Sequence, residues 1–168
     1  MFAIVPAGGV GSRLWPLSRR TSPKFLRDLE GHGRTMLQTT LDRLAPVTEG
    51  IVVVTGAAHA PAVLSQLPDD GAEVEVVAEP SPRDSMAAIG LAAAILHQRH
   101  GDVVVGSFAA DHAIEDAGAF ERAVRRAERI AQEGRIVTIG ITPTAPSSAY
   151  GYIEAGEPLA APLRGLAV

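Results

Sequence analysis

Short runs of apolar, mostly β-branched residues alternate along the chain with segments in which apolar residues recur at helical spacing. The apolar runs are Ala3–Val5, Ile51–Thr55, Val74–Val77, Val103–Val105 and Ile136–Ile139. The helical segments are Met36–Leu44, His59–Leu67, Ser85–His100 and Ala119–Glu133. Continuous apolar strands joined by helices predict an α/β fold, with a Rossmann-like, open and mostly parallel sheet that carries helices on both faces.

Composition is that of an ordinary globular chain with one core. The chain has 168 residues, of which 46% are hydrophobic and 20% charged, and this size supports a single domain. The formal net charge of -4 argues against nucleic acid as a partner. The absence of cysteine favours a reducing compartment, so we expect the cytoplasm. The first apolar run breaks at Pro6 and the glycines, which predicts neither a signal peptide nor a membrane span.

Three glycines follow the first predicted strand. Gly8, Gly9 and Gly11 let backbone N–H groups approach a ligand, and parallel sheets bind ligands beyond the carboxyl ends of their strands. The stretch fits neither the dinucleotide fingerprint, which would need glycine at Leu14, nor the P-loop, which needs Gly-Lys-Ser/Thr. A phosphate cradle and a simple tight turn both remain open for this loop.

Positive charge follows the glycines. Of the 15 lysines and arginines in the chain, Lys24 is the single lysine. A compact ammonium at Lys24 and the planar fork of Arg13 would together clamp a polyphosphate. The alternative is that Lys24 is an ordinary solvated surface residue.

One carboxylate follows the fourth predicted strand. Asp111 would lie at the same edge of the sheet as the glycines, where a hard cation takes one or two carboxylates together with phosphate oxygens. This position predicts a Mg²⁺ ligand, and the alternative is a turn aspartate that caps the next segment. We assign no chemistry to His112.

Four stretches, in order, resemble the sugar nucleotidyltransferases, and most closely the mannose-1-phosphate guanylyltransferases. The first, GGVGSRLWPLSRRTSPKFL, is similar to the family signature, and Trp15 with the final Pro-Lys-Phe-Leu indicates the guanylyltransferase branch. The others are EPSPRDSMAAIGLAA, AADHAI and GITPTAPSSAYGYIE. Together they extend from Gly8 to Glu154, so the resemblance covers most of the chain.

The resemblance implies a reaction in which GTP and mannose 1-phosphate give GDP-mannose and pyrophosphate with the help of Mg²⁺. It implies the nucleotide-diphospho-sugar transferase fold and allows a homodimer. By likeness to the family, Arg13 and Lys24 would be catalytic and Asp111 would hold the metal. Tyr150 and Gly151 would contact the mannose. The residues implied for the nucleotide are Ala7, Gly8, Gly9, Gly11, Arg13, Glu79, Pro80, Asp84 and Ser85.

Departures from the family pattern keep other functions open. Asp84-Ser85 replaces Asn-Thr, Ala87 replaces Pro, and Ala149 replaces Gly. A thymidylyl or uridylyl transferase and a nucleotide-binding module without turnover therefore remain alternatives. An oxidoreductase would need an acidic ribose partner about 20 residues beyond the glycines, near Asp28 or Glu30.

The family continues beyond this length through further motifs of the sugar site. We therefore expect residues 1–168 to be the nucleotide-binding part of a transferase domain, incomplete at the C-terminus and inactive or nearly so alone.

Overall fold

The structure is a computed structural model that describes residues 1–9, 14–19, 21–67, 73–159 and 165. The chain divides into two compact units, Met1–Glu115 and Asp116–Val168. Among the described residues, no helix combines the length and the apolar character needed to cross a membrane.

The first unit is built on a four-stranded parallel sheet. Its strands are β1 (Phe2–Pro6), β2 (Gly50–Gly56), β3 (Val74–Glu79) and β4 (Val105–Ser107), in the order β3-β2-β1-β4. In the register, Ile4 lies beside Val52 on one side and Ser107 on the other. The predicted open, parallel α/β sheet is therefore confirmed for its first four strands.

Four helices and two short 3-10 turns complete the regular structure described. The helices are α1 (Met36–Leu44), α2 (Ala60–Leu64), α3 (Asp84–His100) and α4 (Ala117–Ala131), and the turns are Lys24–Leu26 and Ala45–Val47. Helix α1 begins in a capping box, in which the Thr35 hydroxyl accepts from Gln38 N and the Gln38 side chain accepts from Thr35 N. Helix α4 belongs to the second unit and is capped by Asp116, whose carboxylate accepts from Ala119 N.

Both faces of the sheet are buried at its two central strands, β1 and β2. Helix α3 packs against β1 and β2, and a core forms there from Phe2, Ile4, Val52, Val54, Ala88, Ala92 and Leu96. The alternate strand residues Val5 and Val53 point to the opposite face and are also fully buried. Helix α1 adds the buried leucines Leu37, Leu41 and Leu44. This double coverage explains why the strands read as continuous apolar runs rather than as alternating patterns.

Most predicted boundaries agree with the structure. Helix α1 has the predicted limits, and α3 begins one residue before the predicted Ser85. Helix α2 is shorter than predicted and ends at Leu64, where Ser65 N donates to Pro61 O. The fourth strand begins at Val105 rather than Val103, although Phe2 N already donates to Val104 O at 3.0 Å.

The prediction of a fifth strand is wrong. Residues 136–139 have no regular secondary structure, and the side chain of Ile136 is fully exposed. In the described sheet, β4 pairs with β1 and forms its edge. A β-branched run favours extended backbone, but a strand also needs a neighbour whose N–H and C=O groups complete the ladder.

Candidate active site at the carboxyl edge of the sheet

The strand order creates a crevice at one place in the sheet. From β1 the chain proceeds to β2 and then β3 on one side, and it returns to place β4 on the other side of β1. The loops that follow β1 and β4 therefore leave the sheet in opposite directions, which is where open α/β sheets bind ligands. The glycine loop and Asp111 both lie after these two strands.

The start of the glycine loop is held firmly by β2. Ala7 N donates to Val54 O at 2.7 Å, and the buried hydroxyl of Thr55 donates to Ala7 O at 2.7 Å. Beyond this anchor, Gly8 and Gly9 are exposed. A Cβ at Gly9 would meet no atom within 4 Å, so a ligand has room beside this backbone. The predicted site residues Gly11 and Arg13 lie outside the described residues.

Lys24 and Asp111 form a direct contact across 87 positions of sequence. The Lys24 Nζ donates to the main-chain O of Asp111 at 3.0 Å and to its Oδ2 at 3.2 Å. The adjacent Phe25 and Pro23 are buried and anchor the turn that carries Lys24. The side chains of Lys24 and Asp111 remain 26% and 42% exposed, so both are accessible to solutes. The sequence placed both residues near phosphates but did not predict that they pair.

A residue that sequence reasoning missed supports the loop of Asp111. Arg43, on α1, donates through Nη2 to the main-chain O of His112 at 3.2 Å and to Thr40 Oγ1 at 3.2 Å. Burial lowers the pKa of the Arg43 guanidinium, and the charge of Glu30 partly opposes this shift. The guanidinium stays charged at any physiological pH. Arg43 lies one residue before the end of α1, and nothing in the sequence around it predicts the contact with His112.

Glu79 is a buried carboxylate at the last position of β3. The residue is 7% exposed, and its side chain has no hydrogen-bond or ion-pair partner in the described part of the chain. Its Oε2 lies 3.9 Å from the point where a Cβ at Gly8 would be. A carboxylate without a donor from the described residues is available to accept N–H or O–H groups from a ligand.

The other predicted nucleotide residues follow Glu79. Pro80, Asp84 and Ser85 are exposed, and Asp84 opens α3 with a φ of 61°. Positive φ is uncommon for residues other than glycine, but asparagine and aspartate tolerate it best. The replacement of the family's asparagine by Asp84 is therefore compatible with this backbone.

The predicted mannose residues lie in the second unit. Tyr150 is exposed, and a Cβ at Gly151 would meet no atom within 4 Å. The neighbouring Tyr152 hydroxyl accepts from Ser147 N at 2.7 Å and donates to Ser147 O at 3.2 Å. The unit thus presents Tyr150 and Gly151 on a local loop that Tyr152 and Ser147 hold together.

The structure argues against the oxidoreductase alternative. The Asp28 carboxylate accepts from the backbone N–H groups of Gly31 and Gly33, both at 2.7 Å, and of His32 at 3.3 Å. These backbone hydrogen bonds, above all that from Gly33, lower the pKa of Asp28. Asp28 lies in the loop before α1 rather than at the end of a second strand, and its oxygens already have donors. It is not placed as a ribose partner.

The residue predicted to bind a metal is Asp111. In the described ranges, no cluster of three or more His, Asp or Glu side chains could hold a metal ion. Asp111 instead offers a carboxylate and a main-chain oxygen, which suits a cation that takes its remaining ligands from water and phosphate.

Comparison with known proteins agrees with these features. The family model described as nucleotidyl transferase matches residues 2–162. The mannose-1-phosphate guanylyltransferase RfbM of Salmonella typhimurium is 44% identical over 158 residues, which cover 92% of this chain and 33% of that protein. The mannose-1-phosphate guanylyltransferase of Escherichia coli K12 is 44% identical over 161 residues, which cover 94% of this chain and 34% of that protein.

Solved structures are similar in fold. A Thermus thermophilus structure, described as a mannose-1-phosphate geranyltransferase, is 35% identical with a TM-score of 0.82, and the match covers 95% of this chain and 47% of that chain. This match confirms the predicted nucleotide-diphospho-sugar transferase fold. The chain spans about a third of the length of the curated relatives that it matches. Since the family model matches nearly every residue, the chain belongs to the nucleotidyl transferase family.

Proposed function

We propose that this chain is the nucleotide-handling part of a mannose-1-phosphate guanylyltransferase, which transfers GMP from GTP to mannose 1-phosphate. The observation that carries the proposal is the Lys24–Asp111 pair, in which Asp111 follows β4, the strand next to β1 at the switch point of the sheet. The names of the curated relatives support the choice of GTP and mannose 1-phosphate as substrates.

The reaction needs positioning and charge compensation rather than a protein nucleophile. A phosphate oxygen of mannose 1-phosphate attacks the α-phosphorus of GTP, the bond from that phosphorus to the bridging oxygen of the β-phosphate breaks, and pyrophosphate leaves with the bond electrons. The backbone N–H groups at Gly8 and Gly9 would hold phosphate oxygens, and the Lys24 ammonium would offset negative charge at the α-phosphate. Arg13 is proposed for the same triphosphate.

Asp111 is proposed as a ligand of Mg²⁺. The cation, when bound, would neutralise charge on the phosphate oxygens that face it. One carboxylate and its own main-chain oxygen leave most of the coordination sphere to water and phosphate, as Mg²⁺ commonly requires.

Glu79 is proposed to read the base. A carboxylate accepts two hydrogen bonds side by side, and guanine offers two adjacent donors, N1–H and the 2-amino group. Uracil and thymine offer one N–H on this edge, and adenine presents an acceptor at N1. Guanine therefore satisfies the buried Glu79 better than the other bases. Pro80, Asp84 and Ser85 would line the approach to the base.

The sugar is assigned to Tyr150 and Gly151 in the second unit. This assignment rests on the family resemblance and on the open space beside Gly151. The Tyr150 ring and hydroxyl are exposed and suit the apolar face and the hydroxyl groups of a sugar.

A nucleotide competition experiment tests the function. We expect GTP with Mg²⁺ to bind at least tenfold more tightly than ATP, UTP or dTTP, because a lost hydrogen bond to a charged buried group costs about 1.5–3 kcal/mol. Glu79→Gln is expected to remove most of this preference, and Glu75→Gln, on the same strand, is the matched control. Equal affinity for all four nucleotides would contradict guanylyl transfer. Formation of GDP-mannose from GTP and mannose 1-phosphate separates a transferase from a binding module.

A further inference from the structure

We propose that Lys24 occupies the cation position at Asp111 until nucleotide arrives, so that a divalent cation gains Asp111 only together with a triphosphate. This inference rests on the proposed function of the site, and it concerns the order in which the site fills. In this proposal the Lys24 ammonium is bound first by Asp111 and then, after nucleotide binds, by phosphate.

The geometry of the pair supports an exchange. The Lys24 Nζ contacts two oxygens of the same residue, the main-chain O and Oδ2 of Asp111. These are the hard oxygen atoms that a small divalent cation would use. An ammonium at 3.0–3.2 Å from both oxygens and a cation bound to either of them would place like charges within a few ångströms. The Lys24 ammonium and a divalent cation therefore do not bind the Asp111 oxygens favourably at the same time.

Lys24 and Asp111 differ in how freely their contacting atoms can move. The backbone at Lys24 is fixed between buried Pro23 and Phe25, whereas the ammonium sits on a flexible four-carbon side chain. Lys24 can therefore leave Asp111 without any backbone movement. Asp111 lies in a loop fixed on one side by Phe108 N, which donates to Ile4 O, and on the other by Arg43, which donates to His112 O. The acceptor stays in place while the donor moves.

The triphosphate provides the alternative acceptor that the Lys24 ammonium needs in order to leave Asp111. Its oxygens attract the Lys24 ammonium away from Asp111, and the cation that accompanies the triphosphate takes over the freed oxygens. Negative charge at the site is compensated before and after the exchange, so neither Asp111 nor the phosphate is left as an unpaired anion. We therefore expect a divalent cation without nucleotide to compete poorly with Lys24 for Asp111.

The first test measures Mn²⁺ affinity without nucleotide, by electron paramagnetic resonance. Lys24→Met removes the ammonium but keeps an unbranched, flexible side chain that is one heavy atom shorter. We expect it to tighten Mn²⁺ binding about fivefold or more, because a partly exposed ion pair no longer competes. The gain should disappear in Lys24→Met combined with Asp111→Asn. Arg34→Met, which frees the exposed Asp42 of its partner, is the control and should not produce this site.

The second test uses the wild-type chain. Because Lys24 is the single lysine, lysine labelled at Cε and Nζ gives one side-chain signal in NMR spectra. We expect Mg²⁺ alone to leave this signal in place and Mg²⁺ with GTP to shift it. Unchanged Mn²⁺ affinity in Lys24→Met, or a Lys24 signal that Mg²⁺ alone shifts fully, would overturn the exchange. A chain that binds no GTP but gains Mn²⁺ affinity in Lys24→Met would instead contradict the proposed function and leave the competition intact.

Discussion

The hydroxyl of Thr55, near the end of β2, donates a buried hydrogen bond of 2.7 Å to the carbonyl O of Ala7, where the glycine loop begins. Thr55 is fully buried, so its hydroxyl and the Ala7 carbonyl satisfy each other away from water. We expect Thr55→Val, which keeps the shape but removes the donor, to lower the free energy of unfolding by about 1–3 kcal/mol. Urea denaturation measures this change. Thr55→Ser removes the methyl group but keeps the hydroxyl and should lose less; unchanged stability in Thr55→Val would contradict a contribution from this hydrogen bond.

Arg43 is expected to position Asp111 without touching substrate. Its guanidinium donates to the carbonyl O of His112, the residue after Asp111. Arg43→Met should weaken the binding of Mg²⁺ with GTP by roughly tenfold, since the Asp111 loop loses a charged donor. Arg43→Lys keeps one donor and should restore part of the affinity. The Lys24 NMR signal should move in Arg43→Met without nucleotide, whereas a purely stabilising role for Arg43 would leave that signal unchanged.

Glu79 is expected to serve nucleotide binding rather than the stability of the fold. Its carboxylate has no partner among the described residues, so Glu79→Gln should leave the melting temperature nearly unchanged in the absence of nucleotide. The same substitution should lower GTP affinity roughly tenfold. Differential scanning calorimetry and titration with GTP check the two effects on one protein. If Glu79→Gln destabilises the chain and leaves GTP affinity unchanged, Glu79 is a structural residue.

Asp28 is expected to make stability depend on acidic pH. Backbone N–H groups lower its pKa in the folded state below the usual value of 3.8. A carboxylate with a depressed folded pKa stabilises the fold above its unfolded pKa, and this contribution is lost as pH falls through the folded pKa. Asp28→Asn should therefore lower the urea midpoint at pH 7, and the difference from wild type should shrink below pH 3.8. A difference that is constant from pH 7 into strong acid would contradict this role of the Asp28 charge.

The sequence pattern predicted the strands and helices whose signals lie within the element itself. Apolar runs located β1, β2 and β3, and the pattern at Met36–Leu44 located α1 with its ends, because a capping residue and an apolar face are both written locally. The apolar run at residues 136–139 predicted a strand wrongly, because a strand also needs a neighbouring strand that the run itself does not specify. The predicted start of the fourth strand, Val103, is two residues too early. Pairing with β1, rather than β-branching, sets where β4 begins.

The sequence named candidate site residues but did not predict the contacts between them. The end of each parallel strand placed Gly8 and Asp111 at one edge of the sheet, as the topology requires. The Lys24–Asp111 pair and the Arg43–His112 contact join residues that are 87 and 69 positions apart. Such contacts depend on side-chain direction in the folded chain, so no spacing in the sequence announces them. Burial of Glu79 was hidden for the same reason, because charge alone predicts exposure.

Calorimetric titration of Mg²⁺ with GTP into the wild-type chain, Lys24→Ala and Asp111→Asn measures whether the Lys24–Asp111 pair binds nucleotide. Arg34→Ala, which breaks an exposed ion pair elsewhere in the first unit, is the matched control. We expect GTP to bind the wild type and Arg34→Ala equally, and Lys24→Ala and Asp111→Asn each to weaken binding about tenfold or more. GTP affinity that is the same in all four proteins, with circular dichroism confirming that each is folded, would show that the Lys24–Asp111 pair is not a nucleotide site.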